Sequence, residues 1–188
     1  MRSGISPRVF AMILAGAILV SALSALLLTG SSGGALLSWL KGQQKGGSAF
    51  DLWHGKPAPN LTIGAWDGRT LQLTDFRGRP VILDFWASWS PPSRANLILL
   101  NRFAQAHPEV AVIGIAAEPP ATARAFAEPL GITYPLGSVA PERPPPFDQI
   151  IAVPTTFLID ASGLIVTVVG GYLDQALLDR WLLPPPGA

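Results

Sequence analysis

The chain has 188 residues, 49% of them hydrophobic and 13% charged, with a formal net charge of +1. That length allows one domain plus an appendage, and its 19 glycines and 19 prolines, which follow no period, exclude a collagen-like or fully disordered chain. Cysteine is absent, which removes disulfides, thiolate catalysis and cysteine metal sites together.

The charge is unevenly placed. Residues 1–50 hold Arg2, Arg8, Lys41 and Lys45 with no acid, a charge of +4, while the remaining nine basic and twelve acidic residues give −3. A mildly acidic domain without a basic cluster is not built for nucleic acid, and no such partner is expected.

In chain order, residues 1–8 come first and are expected to stay in the cytoplasm. Residues 9–29 are predicted to form a transmembrane signal-anchor helix. Val9 to Leu28 are 20 residues without a charge, and a helix of that length spans roughly 30 Å, the thickness of the hydrocarbon core. Arg2 and Arg8 precede it, which puts the rest of the chain on the extracytoplasmic side, although Lys41 and Lys45 soften the asymmetry. The competing reading is a cleaved signal peptide. Its apolar core is usually shorter, about 7–15 residues, and no clean A-x-A site follows here. Both readings place the domain on the periplasmic side of a bacterial inner membrane. Residues 30–56, dominated by Gly, Ser and Gln, read as a linker. Its ALLSWL piece either dips into the interface, with Trp39 at headgroup level, or extends the anchor helix.

From Pro57 a domain is expected to run to residue 183, with 184–188 as a tail. LTIGAWDGRTLQL reads as two short strands around the turn signal Asp67-Gly68. VILDFWA (81–87) is a continuous apolar run of strand length, as a central buried strand requires. Leu97, Leu100, Phe103 and Ala104 fall at helical spacing within Ser90–Ala106. VAVIGIAA (110–117) is a second buried strand, and ATARAFAEPLG a short helix ending near Gly131. TTFLID and LIVTVVG form a hairpin across Ala161-Ser162-Gly163, and Asp174 to Leu183 closes as a helix. The insert GSVAPERPPPF (137–147) reads as a stiff proline-rich surface loop, a plain connector or a contact. The order ββ-β-α-β-α-ββ-α predicts an α/β fold, a mixed sheet with helices on both faces.

The stretch WASWSPPSR (86–94) carries the functional question. Ser90 suits an N-cap, because its hydroxyl accepts amide hydrogen bonds, and Pro91 suits the first helical position. Ser-Pro-Pro-Ser is therefore a competent helix start that needs no chemistry. A serine hydrolase would need a base. His107 follows the helix that Ser90 opens, roughly 25 Å away at 1.5 Å per residue, His54 lies in the linker, and no G-x-S-x-G elbow is present. Two isolated histidines lack metal-ligand spacing, so no metal is expected. Asp84 interrupts the apolar run, and its burial should raise its pKa.

These segments together resemble a known family. VILDFWASWSPPSR resembles the strand-to-helix corner of thioredoxin-fold proteins, which reads W-C-x-x-C. VPTTFLIDASG resembles the segment of that fold that starts with a cis-proline. GKPAPNLTIGAWDGRTLQLTDFRGRPVILDFWASW resembles the longer N-terminal hairpin of the TlpA/ResA-type thiol–disulfide oxidoreductases. These are membrane-anchored, extracytoplasmic proteins that serve cytochrome c maturation. The match covers about residues 55–183. It implies a thioredoxin-like fold, with Ser90 and Ser93 at the two cysteine positions and Asp84 at the buried acid that aids proton transfer to the resolving thiol. It implies Pro154 as the cis-proline. Trp86, Trp89, Pro91, Val153, Pro154 and Thr155 would then form a surface where an extended peptide pairs by strand addition. For Trp89 the alternative is simple packing on the helix start.

The activity does not carry over with the fold. It needs a thiolate and a resolving thiol, and a hydroxyl neither ionises near neutral pH nor forms a disulfide. No catalytic residue and no cofactor are expected. For Asp84, without a thiol to serve, a local polar pocket or water is the preferred reading. The family pattern C-x-x-C-x-x-E-x-P also fails at Asn96 and Ile98, which a bare Cys→Ser exchange would have left intact. The expectation is a membrane-anchored domain that binds or scaffolds another protein, itself membrane-associated, in a membrane or cytochrome-assembly complex. The alternative is an oxidoreductase whose two cysteines are replaced by serine in this chain.

Overall fold

The computed structural model of the protein describes residues 50–182. The expected anchor (9–29), the ALLSWL piece and the tail lie outside them. Among the described residues no helix is long and apolar enough to cross a membrane.

The apolar run becomes β3, Val81–Trp86, in which every residue is buried. It lies between a parallel neighbour, β4 (Ala111–Ala116), and an antiparallel one, β6 (Thr155–Ile159). The N-terminal hairpin is β1 (Thr62–Ala65) and β2 (Thr70–Gln72), and the second hairpin is β6 with β7 (Ile165–Gly170). β5 (Leu136–Val139) joins the halves, parallel to β4 and antiparallel to β1. The seven strands run in the order β2-β1-β5-β4-β3-β6-β7. Three helices follow the expected positions: α1 (Pro91–Ala106), α2 (Pro120–Ala127) and α3 (Gln175–Leu182).

Three points differ from the sequence reading. First, Gly137 to Val139 are strand, not loop. Glycine and serine hide the strand signal, but both edges of this segment are paired. The proline-rich stretch after it is not a plain surface connector either, because Phe147 is fully buried against Phe85 and Phe157. Second, among the described residues the α-helices cover one face. Leu97, Leu100 and Phe103 of α1, Ala123 of α2 and Leu178 of α3 pack with Ile82, Trp86 and Leu158. On the other face Leu83, Phe85, Ile113 and Phe157 meet Leu73, Phe147, Phe50 and Trp53, which come from 3-10 turns and loops. The crossovers β3-α1-β4 and β4-α2-β5 step in one direction along the sheet, so both helices fall on one side. Third, residues 50–56, read as the end of the linker, lie on the domain. Phe50 packs edge-on against Phe157, the Gly55 N–H donates to the Ile165 carbonyl, and the Ile165 N–H donates to the Lys56 carbonyl. They satisfy part of the otherwise open edge of β7, which blunts an aggregation-prone strand.

Gly137 marks how tightly β5 is held. A methyl group there would come within 2.7 Å of the Gly64 carbonyl and 2.9 Å of the Ile63 side chain. Gly137→Ala is therefore expected to lower stability by about 1–3 kcal/mol, the range for overpacking. A shift of the urea midpoint at unchanged slope checks it, and an unshifted midpoint would mean that β1 yields freely.

Candidate functional site

β3 delivers the chain to the start of α1, and the local chemistry there is complete without sulfur. Ser90 is in extended conformation at the N-cap, and its Oγ accepts from the Ser93 N–H at 3.4 Å, with Pro91 and Pro92 in the first turn. The same hydroxyl donates to the Val153 carbonyl at 3.1 Å. Ser93 is fully buried, and its Oγ accepts from the Ala87 N–H at 3.3 Å. Each serine thus ties the helix start to a neighbouring strand end. Neither histidine reaches them: His54 bonds the Val166 carbonyl and His107 pairs with Glu109.

The Val153–Pro154 peptide is cis, as the resemblance implies, and so is Pro145–Pro146, which nothing in the sequence reading anticipated. The helix start and the cis-proline loop do meet, through Ser90 and Val153. Not all six expected surface residues reach that surface. Trp86 is fully buried. Side chains alternate along a strand, so Ile82, Asp84 and Trp86 share the helix-covered face, where Trp86 packs against Trp66 and Phe126. Pro154 and Thr155 are buried as well, and the Thr155 hydroxyl donates to the Ala152 carbonyl, pinning the loop. Pro91 is exposed and Val153 half-buried. Trp89 is 68% exposed, so it does not simply pack on the helix start. It is not the only large exposed aromatic, since Tyr172 is 64% exposed.

Trp89 and Val153 belong to a groove of about 570 Å³ at the carboxyl ends of β3 and β4. One wall is Ala116 to Glu118, another the end of β5 from Ser138 to Pro141, and a third Ile150 to Val153. Ile151 is 98% exposed, and sequence reasoning missed it; two adjacent isoleucines just before a cis-proline were the available signal. Glu118 was missed too. Its carboxylate accepts from the Ser88 N–H and, at 2.8 Å, from the Ser88 hydroxyl, which ties the β3–α1 turn to the β4–α2 turn. No property of the sequence signals that contact.

Asp84 lies beneath the corner, fully buried. Its register partner on β6 is Thr156, whose hydroxyl donates to Oδ1 at 2.7 Å. Oδ2 has no partner among the described residues, and neither has Trp86 Nε1 or Tyr134 Oη. On β4 the register partner of Asp84 is Gly114, and Trp86 Nε1 and the Tyr134 ring lie over that glycine. Asp84 thus has a polar pocket, as expected, but an unfinished one. Desolvation pushes its pKa up to about 7, against the smaller opposing pull of the Thr156 hydrogen bond. Burial, with the Asp84 charge as a lesser cause, raises Tyr134 further above its ordinary range.

The AhpC/TSA family model matches residues 54–168, more than half of the chain. The thiol-disulfide oxidoreductase ResA of Geobacillus thermodenitrificans is 30% identical over 125 residues, covering 64% of this chain and 71% of that protein. The thiol:disulfide interchange protein DsbE of Xylella fastidiosa is 34% identical over 134 residues, covering 69% and 68%. Among solved structures, a thiol:disulfide interchange protein of the thioredoxin family from Chlorobium tepidum superposes with a TM-score of 0.61 at 28% identity, covering 67% of this chain and 92% of that one.

The raised pKa of Asp84 sets a pH dependence whose sign is fixed. The unfolded carboxyl titrates near 4 and the folded one at about 7. Between those values the folded state holds the extra proton, so stability is full below about pH 4, falls as pH rises, and levels off above pH 7. The whole loss is on the order of 4 kcal/mol. Asp84→Asn keeps an acceptor for Thr156 and is expected to flatten the profile, matching the parent near pH 4 and exceeding it at pH 8. Urea unfolding across pH 4–8 checks it, and parallel profiles for the two proteins would refute the assignment.

Proposed function

The chain belongs to the AhpC/TSA family and has the thioredoxin-like fold of the ResA and DsbE thiol–disulfide oxidoreductases, and from that premise we propose that it is a protein-binding member that has left the dithiol chemistry behind. In this reading it is a scaffolding subunit of a membrane complex, with cytochrome assembly the nearest candidate. It is anchored through residues 9–29, with the domain on the extracytoplasmic side. Its partner is another membrane-associated protein.

The observation that carries the proposal is the state of the two serines. Both hydroxyls are engaged by backbone groups: Ser90 caps the Ser93 N–H of the helix start and donates to the Val153 carbonyl, and Ser93 accepts from the Ala87 N–H, so positions 90 and 93 are structurally finished as serines. Asn96 supports the same conclusion. It is buried, its Nδ2 donates to the Gly171 carbonyl at 3.0 Å, and its Oδ1 accepts from the Leu173 N–H at 2.9 Å. A carboxylate at that position has no proton for the Gly171 carbonyl. The neighbourhood is thus fitted to asparagine, which favours loss of the redox motif as a whole over a bare exchange of two cysteines.

Binding has its own support. Trp89 and Ile151 are both exposed, and both line the open groove. None of the backbone N–H groups of Ile151, Ala152 and Val153 has a partner among the described residues. Exposed aromatic and apolar anchors beside unpaired backbone are what an extended segment needs for strand addition.

Two experiments test the reading. The full chain should not accelerate insulin disulfide reduction beyond the rate of the added reductant, whereas Ser90→Cys with Ser93→Cys should gain a disulfide that forms and opens reversibly. Turnover by the parent chain would sink the redox-inert reading. Second, Trp89→Ala with Val153→Asp should abolish partner co-purification from solubilised membranes while the thermal transition is retained. Undiminished co-purification with a folded double variant would place the interaction elsewhere.

A further inference from the structure

The groove holds one feature that strand addition does not use. Arg143 lines it, in the proline-rich stretch after β5. Its guanidinium lies over the face of Phe85, 5.8 Å from the ring centroid, which fixes where the charge sits. Its Nε is dry and has no hydrogen-bond partner among the described residues, and the side chain makes no ion pair among them. The other charged residue on the groove walls is Glu118, and its carboxylate is already engaged by both donors of Ser88. The remaining lining is Trp89, alanines, prolines, valines and isoleucines with Ser138.

A positioned guanidinium without an acceptor among the described residues, in a groove whose other charged side chain is already engaged, is half of a charge pair. Arg143 is half-buried, with its Nε shielded from solvent and without an acceptor among the described residues; an unpaired charged donor costs more than a neutral one, so an occupant that supplies an acceptor gains by pairing it. Guanidinium matches carboxylate geometry with two parallel hydrogen bonds. A single cation suits a single carboxylate rather than the repeated charges of a polyanion, and Glu118 in the same lining disfavours a second anion. We propose that the groove takes an extended segment of the partner protein that carries one acidic side chain between apolar ones, with Arg143 holding the carboxylate while Trp89 and Ile151 cover the apolar flank. This rests on the peptide-docking reading above and adds the chemistry of the peptide.

The probe is a set of blocked pentapeptides, Val-Ala-Glu-Val-Ala and its counterparts with central Gln or Lys, titrated calorimetrically into the detergent-solubilised full chain. The Glu peptide is expected to bind about tenfold tighter than the Gln peptide, the worth of a charge-assisted pair, and the Lys peptide more weakly still. The preference should vanish in Arg143→Met, which keeps an apolar stem over Phe85, and survive in part in Arg143→Lys. Equal affinities for Glu and Gln, or a preference that persists in Arg143→Met with an unchanged thermal transition, would overturn the carboxylate anchor and leave peptide docking standing. No binding of any peptide at about 1 mM would overturn both. A self-associating chain that excludes all three would assign the groove to a second copy and overturn the proposal as well.

Discussion

The structure depends on the complete burial of β3. All six residues from Val81 to Trp86 are inaccessible, with β4 on one side and β6 on the other. A strand covered on both faces has no freedom of register, because a slip of one residue would exchange its two faces. Leu83 and Phe85 therefore always meet the Phe157 and Phe147 side, and Ile82, Asp84 and Trp86 always meet the helices. Everything at the candidate site is measured from the end of this strand. The corner at Ala87–Ser90, the capped start of α1 and the contact with the cis-proline loop follow from where β3 stops.

That rigidity makes the corner independent of sulfur. A helix start has backbone amides to satisfy whether or not chemistry is done there. Serine hydroxyls do so at least as well as thiols, which are weak donors and acceptors. Ser90 contributes a second bond across to Val153, so the corner and the cis-proline loop stay joined without a disulfide or a bound substrate. Asp84 has no such replacement. It is half satisfied by Thr156, beside two other unpartnered polar atoms. A buried carboxyl with one partner is a cost that an apolar residue would avoid.

Much of this was legible in the sequence, and the failures share a cause. Long uninterrupted signals came through: the apolar run of β3, the helical spacing of Leu97, Leu100 and Phe103, and the turn residues of both hairpins. β5 was lost because its sequence, LGSV, has neither alternation nor bulk; it is a strand only because β1 and β4 both need a partner there. Trp86 was misplaced because position in a motif says which residues are near a site, while the parity of the strand says which face they point to. The same parity buries Thr156 beside Asp84. Phe50 and Trp53 read as linker because Gly and Ser surround them, yet the edge of β7 gives them a surface to cover. Ile151, Glu118 and Arg143 share the groove from three separate loops, a proximity with no local signature.

The groove does not depend on what stands at positions 90 and 93. The strand order sets the groove, because it brings the ends of β3, β4 and β5 and the cis-proline loop together whatever residues line them. β3 and β4 are parallel in this sheet, and the walls of the groove are the loops that leave them, with the ends of β5 and the cis-proline loop completing it. A dithiol at the same corner is a local addition of two side chains. Removing it alters neither strand order, nor the cis peptide, nor the exposed Trp89. The groove and a redox pair are thus separable in physical terms: the first is held by the burial of β3 and the pairing of β5, the second by two atoms at positions that hydroxyls fill here. In this chain the parts that depend on the fold are present and the parts that depended on sulfur are absent.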